Sequence, residues 1–235
     1  VLFTDAEYKY DPVWAAQNGV DPDGINVVTP NDMEQYLNII IELAEVIGIN
    51  IIDSAVSVAS SGEQEDKQGN HRDLHDDTIA LQPRKLSQFF RVATPSLAKN
   101  KVATIILNQI RTNIGGYMAF DSFPGGNALK HNCSAIIKAS RRKTTQKDIP
   151  DYGLTVSHDV VLKVTKGINE DQEITTTFYK ECGFDPLSDL VRQMIDYNII
   201  TAPSRGFYSL PGDDKNYRLN DIYPLVDGRF DEFYN

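Results

Sequence analysis

Three polar side chains stand at or just past the ends of apolar, strand-like runs. They are Glu7 after residues 1–4, Asp53 after residues 49–52, and Gln109 after residues 102–107. Parallel α/β sheets bind ligands outside the carboxyl ends of their strands, so we expect these side chains to converge on one site. Carboxylates at such an edge can position a water molecule or a hard cation. The pattern predicts a site that senses one ligand and touches another.

The segments between these runs carry helical signals. Asp11 and Pro12 suit the first turn of a short helix that runs to about Asn18. Thr29-Pro30-Asn31-Asp32 predicts the start of a second helix, with Thr29 as its cap. Five apolar residues then fall on one helical face: Met33, Tyr36, Leu37, Ile40 and Ala44. A further helix is expected over about residues 78–97.

The remaining runs predict an α/β protein. The run at residues 49–52 is apolar except for Asn50, as expected of a strand covered on both sides in a parallel sheet. Three later runs suggest hairpins that extend the sheet: residues 133–139, 154–164 and 173–179. Asp185-Pro186-Leu187-Ser188 predicts a helix start. We expect one large domain over residues 1–183 and a small α/β domain over residues 184–235.

Composition narrows the class of protein. With 235 residues and 41% hydrophobic residues, the chain can bury a full core. It has no apolar run long enough for a membrane span and no leader-like start, so the cytoplasm is expected. Cys133 and Cys182 lack metal-ligand spacing, which argues against a disulfide framework or a zinc ribbon. The net charge of -10 argues against a generally basic surface, although a local basic patch can still bind phosphates.

Three motifs occur in the order found in one known family. They are Phe3-Thr4-Asp5-Ala6-Glu7, Ile51-Ile52-Asp53-Ser54, and Leu107-Asn108-Gln109-Ile110-Arg111 followed by Gly125-Gly126-Asn127-Ala128-Leu129-Lys130. The chain thus resembles the RecA-type recombinases. The resemblance implies a RecA-like P-loop NTPase core, with a mainly parallel sheet flanked by helices, over residues 1–183. It also implies a small C-terminal α/β region, with ATP and Mg²⁺ as cofactors.

The resemblance implies catalytic and nucleotide-binding roles for particular residues. Glu7 matches the glutamate that activates the water attacking the γ-phosphate, and Gln109 matches the glutamine that senses that phosphate. Lys166 matches a lysine that reaches the neighbouring subunit's nucleotide. The remaining matches are nucleotide contacts: Asp53 as the acid that holds Mg²⁺ through water or directly, Ser54 beside it, and Asp11 and Trp14 against the adenine.

DNA contacts are implied in the same way. Arg111 matches a phosphate-contacting arginine, and Ile114 matches an apolar wedge between stretched base steps. Gly125, Gly126 and Asn127 match the point where the DNA-binding loop restarts as a helix, and Arg84 matches an arginine in the helix after the first DNA-binding loop.

Four features depart from the family pattern or allow two interpretations. The phosphate-cradling sequence Gly-x-x-x-x-Gly-Lys-Ser/Thr is absent, so we expect either a fragment that starts mid-domain or a degenerate relative. Ile168 replaces a basic companion of Lys166. The basic run 141–143 predicts a solvated hairpin turn or a DNA-facing patch. In the acidic stretch 62–77, His71 and His75 suit a solvated loop better than a metal site.

The first hypothesis is therefore an ATP-dependent DNA recombinase. It would form a helical filament on single-stranded DNA, pair that strand with a homologous duplex, and exchange strands in recombination and repair. By itself this chain would be inactive, because it lacks the phosphate loop. The second hypothesis is a catalytically incomplete paralogue that binds DNA or a filament as an accessory protein. A third hypothesis is a hexameric helicase-type ATPase on the same fold.

Overall fold

The structure is a computed structural model. It describes residues 1–65, 81–113, 120–122, 127–149 and 153–229. The chain divides into two compact units, Val1–Ser134 and Ala135–Asn235. Each unit is described by itself below, with helices and strands numbered in chain order.

The first unit alternates strands and helices. Its elements are β1 (Leu2–Asp5), α1 (Pro12–Gln17), β2 (Asn26–Val28), α2 (Met33–Leu43), β3 (Ile49–Asp53), α3 (Ser61–Gln64), α4 (Leu81–Lys99), β4 (Ala103–Ile106), β5 (Arg111–Asn113), β6 (Phe120–Ser122) and α5 (Asn127–Asn132). Four strands form a sheet in the order β2-β1-β3-β4, and all of its pairings are parallel. Because parallel strands point the same way, the carboxyl ends of β1, β3 and β4 lie at one edge.

The helix starts follow from short acidic side chains. Asp11 caps α1 by accepting hydrogen bonds from the backbone N–H groups of Val13 and Trp14. The predicted threonine cap of α2 is wrong, because Asp32 caps that helix by accepting from the Gln35 N–H. A carboxylate directly before the first turn satisfies a free N–H and complements the positive end of the helix dipole.

The core of this unit lies between the sheet and one layer of helices. The predicted face of α2 is buried as expected, and Tyr36 and Ile40 are fully buried. Phe89 and Ala93 of α4 join the same apolar cluster, together with Ile52 of β3. Burying one large apolar side chain contributes about 1.5–3 kcal/mol, so this cluster fixes the helices on the sheet.

The other face of the sheet is only partly covered by the described residues. Ile49 of β3 is 40% exposed, and Ile105 of β4 is 52% exposed. In the described part of the chain, β3 is therefore not covered on both sides as the sequence predicts. Both α2 and α4 pack against the face that carries Asn50 and Ile52, as the cluster of buried residues there shows.

After β4 the chain forms a small antiparallel pair. Residues Arg111–Asn113 of β5 pair with Phe120–Ser122 of β6. The helix α5 then starts at Asn127, directly after the glycine pair, as the sequence predicts. Ile114, Gly125, Gly126, His71 and His75 lie outside the described residues.

The second unit contains an antiparallel sheet of its own. Its elements are β7 (Ile136–Ile149), β8 (Gly153–Lys166), β9 (Glu173–Tyr179), β10 (Gly183–Phe184), α6 (Pro186–Asp196), β11 (Thr201–Ser204), β12 (Phe207–Ser209) and α7 (Leu219–Asp227). The sheet order is β10-β9-β8-β7. The expectation that these strands extend the parallel sheet is wrong in the described residues, because each long strand finds its backbone partners in neighbouring hairpins instead.

The basic run at residues 141–143 is not a hairpin turn. It lies within β7, where the register with β8 shifts between Arg141 and Lys143. Such a shift marks a bulge, which bends a strand without ending it. Arg142 forms an exposed ion pair with Glu173, with 3.2 Å between Nη2 and Oε1. The interpretation of this run as a hairpin turn is therefore wrong, although its residues are exposed as that interpretation expects, and a role in binding DNA stays a prediction.

The last part of the second unit has a small apolar core. Asp185 caps α6 as predicted, accepting from the Ser188 N–H. The helices α6 and α7 pack with β11 and β12 around six buried residues: Val191, Met194, Ile200, Leu210, Ile222 and Val226. The contact-based division at residue 134 differs from the division that we expect at residue 184, and a separate domain over residues 184–235 stays a prediction. Among the described residues, no helix has the length and apolar character needed to cross a membrane.

Candidate functional site

A cavity of about 420 Å³ lies at the carboxyl edge of the parallel sheet. Its lining comes from the segments after three adjacent strands, β1, β3 and β4: Ala6, Glu7, Lys9, Ser54, Val56, Ser57 and Gln109. The structure thus brings together Glu7, Ser54 and Gln109, which the sequence places far apart. The roles assigned to them from resemblance stay predictions.

The turn that carries Glu7 is fixed by backbone hydrogen bonds. Asp5, which is buried, accepts from the N–H of Lys9 at 3.0 Å and from the N–H of Tyr10 at 2.8 Å. The Ala6 N–H donates to the carbonyl of Asp53 at 2.7 Å, which ties the ends of β1 and β3 together. Tyr8 adopts φ of 56° between these anchors. The carboxylate of Glu7 is therefore presented by a rigid turn.

Glu7 contacts three residues on two other segments through its oxygen Oε1. The hydroxyl of Ser57 donates at 2.9 Å, the hydroxyl of Ser54 lies at 3.3 Å, and Nε2 of Gln109 donates at 3.2 Å. Ser54 and Ser57 also form a short hydrogen bond with each other. Each hydroxyl has only one hydrogen, so the shorter contacts favour a relay from Ser54 to Ser57 to Glu7.

The other carboxylate oxygen of Glu7 forms an ion pair. Nζ of Lys9 lies 2.6 Å from Oε2, and the Lys9 side chain is 73% exposed whereas that of Glu7 is 16% exposed. The Lys9 and Ser57 hydrogen bonds lower the pKa of Glu7, and partial burial opposes them. Glu7 is therefore a carboxylate at neutral pH, the form that can accept a hydrogen bond from water.

Asp53 does not line this cavity, although its chain neighbour Ser54 does. Burial raises the pKa of Asp53, and the negative charges of Glu7 and Asp5 raise it further. The three carboxylates thus form a local excess of negative charge that a cation would relieve. Mg²⁺ prefers such oxygen ligands, and it commonly uses only one or two carboxylates together with water and phosphate oxygens. This donor set fits that ion, although no group of three or more potential metal ligands occurs among the described residues.

Asp11 and Trp14 are close to each other but outside the cavity lining. Asp11 accepts from the Val13 N–H at 2.9 Å and from the Trp14 N–H at 3.1 Å, so its carboxylate has a capping task in any case. The indole of Trp14 is 45% exposed. An exposed ring on a short capped helix can stack on a flat ligand. Their predicted contacts with adenine stay predictions.

The predicted DNA-binding residues lie on several elements. Arg84 is an exposed residue of α4, Arg111 begins β5, and Asn127 begins α5. Lys166, which is predicted to reach a neighbouring subunit's nucleotide, is the last residue of β8 in the second unit, and Ile168 just beyond it is fully exposed. Nothing in the described geometry assigns a ligand to Arg84, Arg111, Asn127 or Lys166, so their roles stay predictions.

Sequence reasoning missed Asp5, Lys9 and Ser57. Asp5 holds the turn, Lys9 pairs with Glu7, and Ser57 donates to Glu7. The position of Lys9, two residues after a proposed catalytic acid, is a sequence signal that could have identified it. Ser57 gave no such signal, because its approach to Glu7 depends on the fold of the segment after β3.

Residues 1–177 of this chain match the model of the family described as the RecA N-terminal domain. The protein RecA of Prochlorococcus marinus strain SARG / CCMP1375 is 30% identical over 215 residues, which is 90% of this chain and 54% of that protein. RecA of strain AS9601 is 33% identical over 155 residues, covering 65% of this chain and 41% of that protein. The chain spans about half the length of these curated relatives.

Among solved structures, the crystal structure of the RadB recombinase is similar, with a TM-score of 0.47 and 16% sequence identity. The similarity covers 78% of this chain and 76% of that chain.

Proposed function

Because the chain belongs to the RecA N-terminal domain family, we propose that the complete protein is an ATP-dependent DNA recombinase. It forms a filament on single-stranded DNA, pairs that strand with a homologous duplex, and exchanges strands in recombination and repair. The observation that carries this proposal is the cluster of Glu7, Ser54 and Gln109 at the carboxyl ends of adjacent strands. A cytoplasmic location is part of the proposal.

Glu7 is proposed as the base in ATP hydrolysis. Its carboxylate accepts a hydrogen bond from a water molecule, which attacks the γ-phosphorus while the bond to the β–γ bridging oxygen breaks. The relay from Ser54 through Ser57 orients the carboxylate, and the backbone bonds of Asp5 fix the turn below it. Positioning of this kind supplies much of the catalysis in phosphoryl transfer.

Asp53 is proposed to hold Mg²⁺, directly or through water, with Ser54 beside it. The raised pKa of Asp53, caused by burial and by the charges of Glu7 and Asp5, is consistent with a site that needs a cation. When bound, Mg²⁺ would neutralise charge on the phosphates. Asp11 and Trp14 are proposed to contact the adenine, Trp14 by stacking its exposed ring on the base.

Gln109 is proposed to couple the nucleotide to DNA. Its amide reaches Glu7 from the end of β4, and two residues later the chain enters β5 at Arg111. A movement of Gln109 would therefore also move the start of the segment proposed to bind DNA. That segment includes Arg111, Ile114, Gly125, Gly126 and Asn127, with Arg84 contributing from α4.

Two features bear on whether this chain can hydrolyse ATP. The sequence has no Gly-x-x-x-x-Gly-Lys-Ser/Thr loop, which cradles phosphates with backbone N–H groups and a lysine. We therefore propose that this chain by itself does not hydrolyse ATP. Lys166 is proposed to reach a neighbouring subunit's nucleotide in the filament, and the exposed apolar Ile168 beside it adds no charge to that contact.

The test is ATP hydrolysis by the complete natural protein, with and without single-stranded DNA, compared with Glu7→Gln. We expect DNA-stimulated hydrolysis that falls at least a hundredfold in Glu7→Gln, while binding of ATP persists. The matched control is Glu42→Gln, an amide substitution on α2 away from the cavity. Hydrolysis that survives in Glu7→Gln would contradict the catalytic role of Glu7.

The accessory-protein alternative predicts a different result. If the complete protein hydrolyses no ATP but still binds single-stranded DNA, and Arg111→Ala abolishes that binding, the recombinase proposal fails. The alternative then stands, because a filament-binding paralogue needs DNA contacts but no turnover.

A further inference from the structure

The side chain of Lys9 makes a contact that the fold does not need. Its ammonium lies 2.6 Å from Oε2 of Glu7, on an exposed turn. Exposed ion pairs contribute about 0–1 kcal/mol to the free energy of unfolding. The turn itself is held by the carboxylate of Asp5, which accepts from two backbone N–H groups. The contact therefore contributes little to stability but places a positive charge directly beside the proposed base.

Lys9 makes the Glu7 carboxylate a weaker base. Oε1 accepts from the amide of Gln109 and the hydroxyl of Ser57, and Oε2 accepts from Lys9. Oε2 keeps a second lone pair for a water molecule, but the adjacent ammonium lowers the pKa of Glu7 and so its power to take a proton from that water. Lys9 is the easiest partner to displace, because its long side chain is 73% exposed.

Lys9 also carries the positive charge of the cavity. Among the described residues that line it, Lys9 is the one cationic side chain and Glu7 the one anionic side chain. The hydrogen bond and charge of Glu7 raise the pKa of Lys9, and the charges of Asp53 and Asp5 act in the same direction. Lys9 is therefore an ammonium at neutral pH and suits an anionic ligand in the same cavity.

A phosphate group would compete with Glu7 for this ammonium. The terminal phosphate of a nucleoside triphosphate carries more negative charge than one carboxylate, so at the same distance it attracts the ammonium more strongly. Lysine binds phosphate as a compact point charge on a flexible stem, so it can exchange partners without moving the backbone.

We propose that Lys9 binds the terminal phosphate of the nucleoside triphosphate, and that its transfer from Glu7 to that phosphate leaves Glu7 a stronger base for the attacking water. This inference rests on the proposed function, in which Glu7 activates water. Glu7 therefore loses its ion pair with Lys9 only when the phosphate that is to be attacked is present. A diphosphate lacks that group and leaves the ion pair in place.

The first experiment compares binding of ATPγS and ADP to the complete natural protein by calorimetry. In Lys9→Met we expect ATPγS to bind at least tenfold more weakly and ADP to change less than twofold. Lys9→Arg, which keeps the charge, should stay within about threefold of the natural protein for both ligands. The matched control is Lys99→Met, at the exposed end of α4. Equal weakening of both ligands, or no weakening, would overturn the proposal.

The second experiment uses a double-mutant cycle to detect the exchange of partners. If Glu7 and the phosphate compete for Lys9, Glu7→Gln should tighten ATPγS binding severalfold when residue 9 is Lys. It should have no effect in the Lys9→Met background. Independent effects of the two substitutions would overturn the exchange. Both experiments measure binding, so they remain decisive even if the complete protein proves to hydrolyse no ATP and the proposed function fails.

Discussion

Nε2 of Gln109 donates a hydrogen bond of 3.2 Å to Oε1 of Glu7, although 102 residues separate them along the chain. The contact joins the segment after β1 to the segment after β4, with β3 between these strands in the sheet. It gives the proposed base a direct partner on the strand that leads to the proposed DNA-binding segment.

Replacing Gln109 should separate hydrolysis from DNA binding. Gln109→Leu removes the amide donor, so we expect stimulation of ATP hydrolysis by single-stranded DNA to fall at least tenfold. Gln109→Glu places a second carboxylate beside Glu7 and should have the same effect through repulsion. The measurement is the ratio of hydrolysis rates with and without DNA. Unchanged stimulation in Gln109→Leu would show that Gln109 does not couple DNA binding to ATP hydrolysis.

Replacing Asp11 should distinguish its capping task from its proposed contact with adenine. Asp11→Ala removes the acceptor for two N–H groups and should cost about 1 kcal/mol of unfolding free energy. Asp11→Ser can still cap the helix, so it should recover most of that stability. If the Asp11 carboxylate also contacts the adenine, ATP should bind more weakly to Asp11→Ser than to the natural protein. Urea unfolding and calorimetry measure the two effects separately.

Tyr36 should make the protein sensitive to alkaline pH. Its buried hydroxyl donates to the Ala55 carbonyl at 2.9 Å, and burial raises the pKa of Tyr36 above its unfolded value of 10.0. Above about pH 10 the unfolded chain releases the Tyr36 proton more readily than the folded protein does. The free energy of unfolding is therefore at its full value below about pH 10 and falls as the pH rises above it.

The matched variant is Tyr36→Phe, which lacks the titrating group. It should lose about 1 kcal/mol at pH 8, because the Ala55 carbonyl loses its partner. Between pH 8 and pH 11 its unfolding free energy should then fall less than that of the natural protein. Equal decreases in the two proteins would contradict the assignment.

Asn50 should be a destabilising residue. It is fully buried in β3, and neither atom of its amide has a hydrogen-bond partner in the described part of the chain. An unpaired buried amide costs about 1–3 kcal/mol, so Asn50→Val should raise the free energy of unfolding by about that amount. Chemical denaturation measures the difference. A loss of stability in Asn50→Val would indicate that a buried water satisfies the amide.

The helices and strands of the first unit were largely predictable because their signals are local. Residue spacing predicts the apolar face of α2, and the glycine pair before Asn127 predicts the start of α5. The cap of α2 is Asp32 and not Thr29, which is three positions earlier. Both residue types cap helices well, so residue type alone does not distinguish them.

Residue types and their spacing were enough to predict the family motifs, the alternation of β1 to β4 with α1, α2 and α4, and the carboxylates and amide at the strand ends. They did not predict α3, β5 or β6, which form where we expected loops. Which partners each polar group meets follows from the folded structure. Lys9 pairs with Glu7 because Asp5 folds the turn back, and Ser57 reaches Glu7 because β1 and β3 are neighbours. Those contacts depend on strand order and register, and both are set by long-range packing.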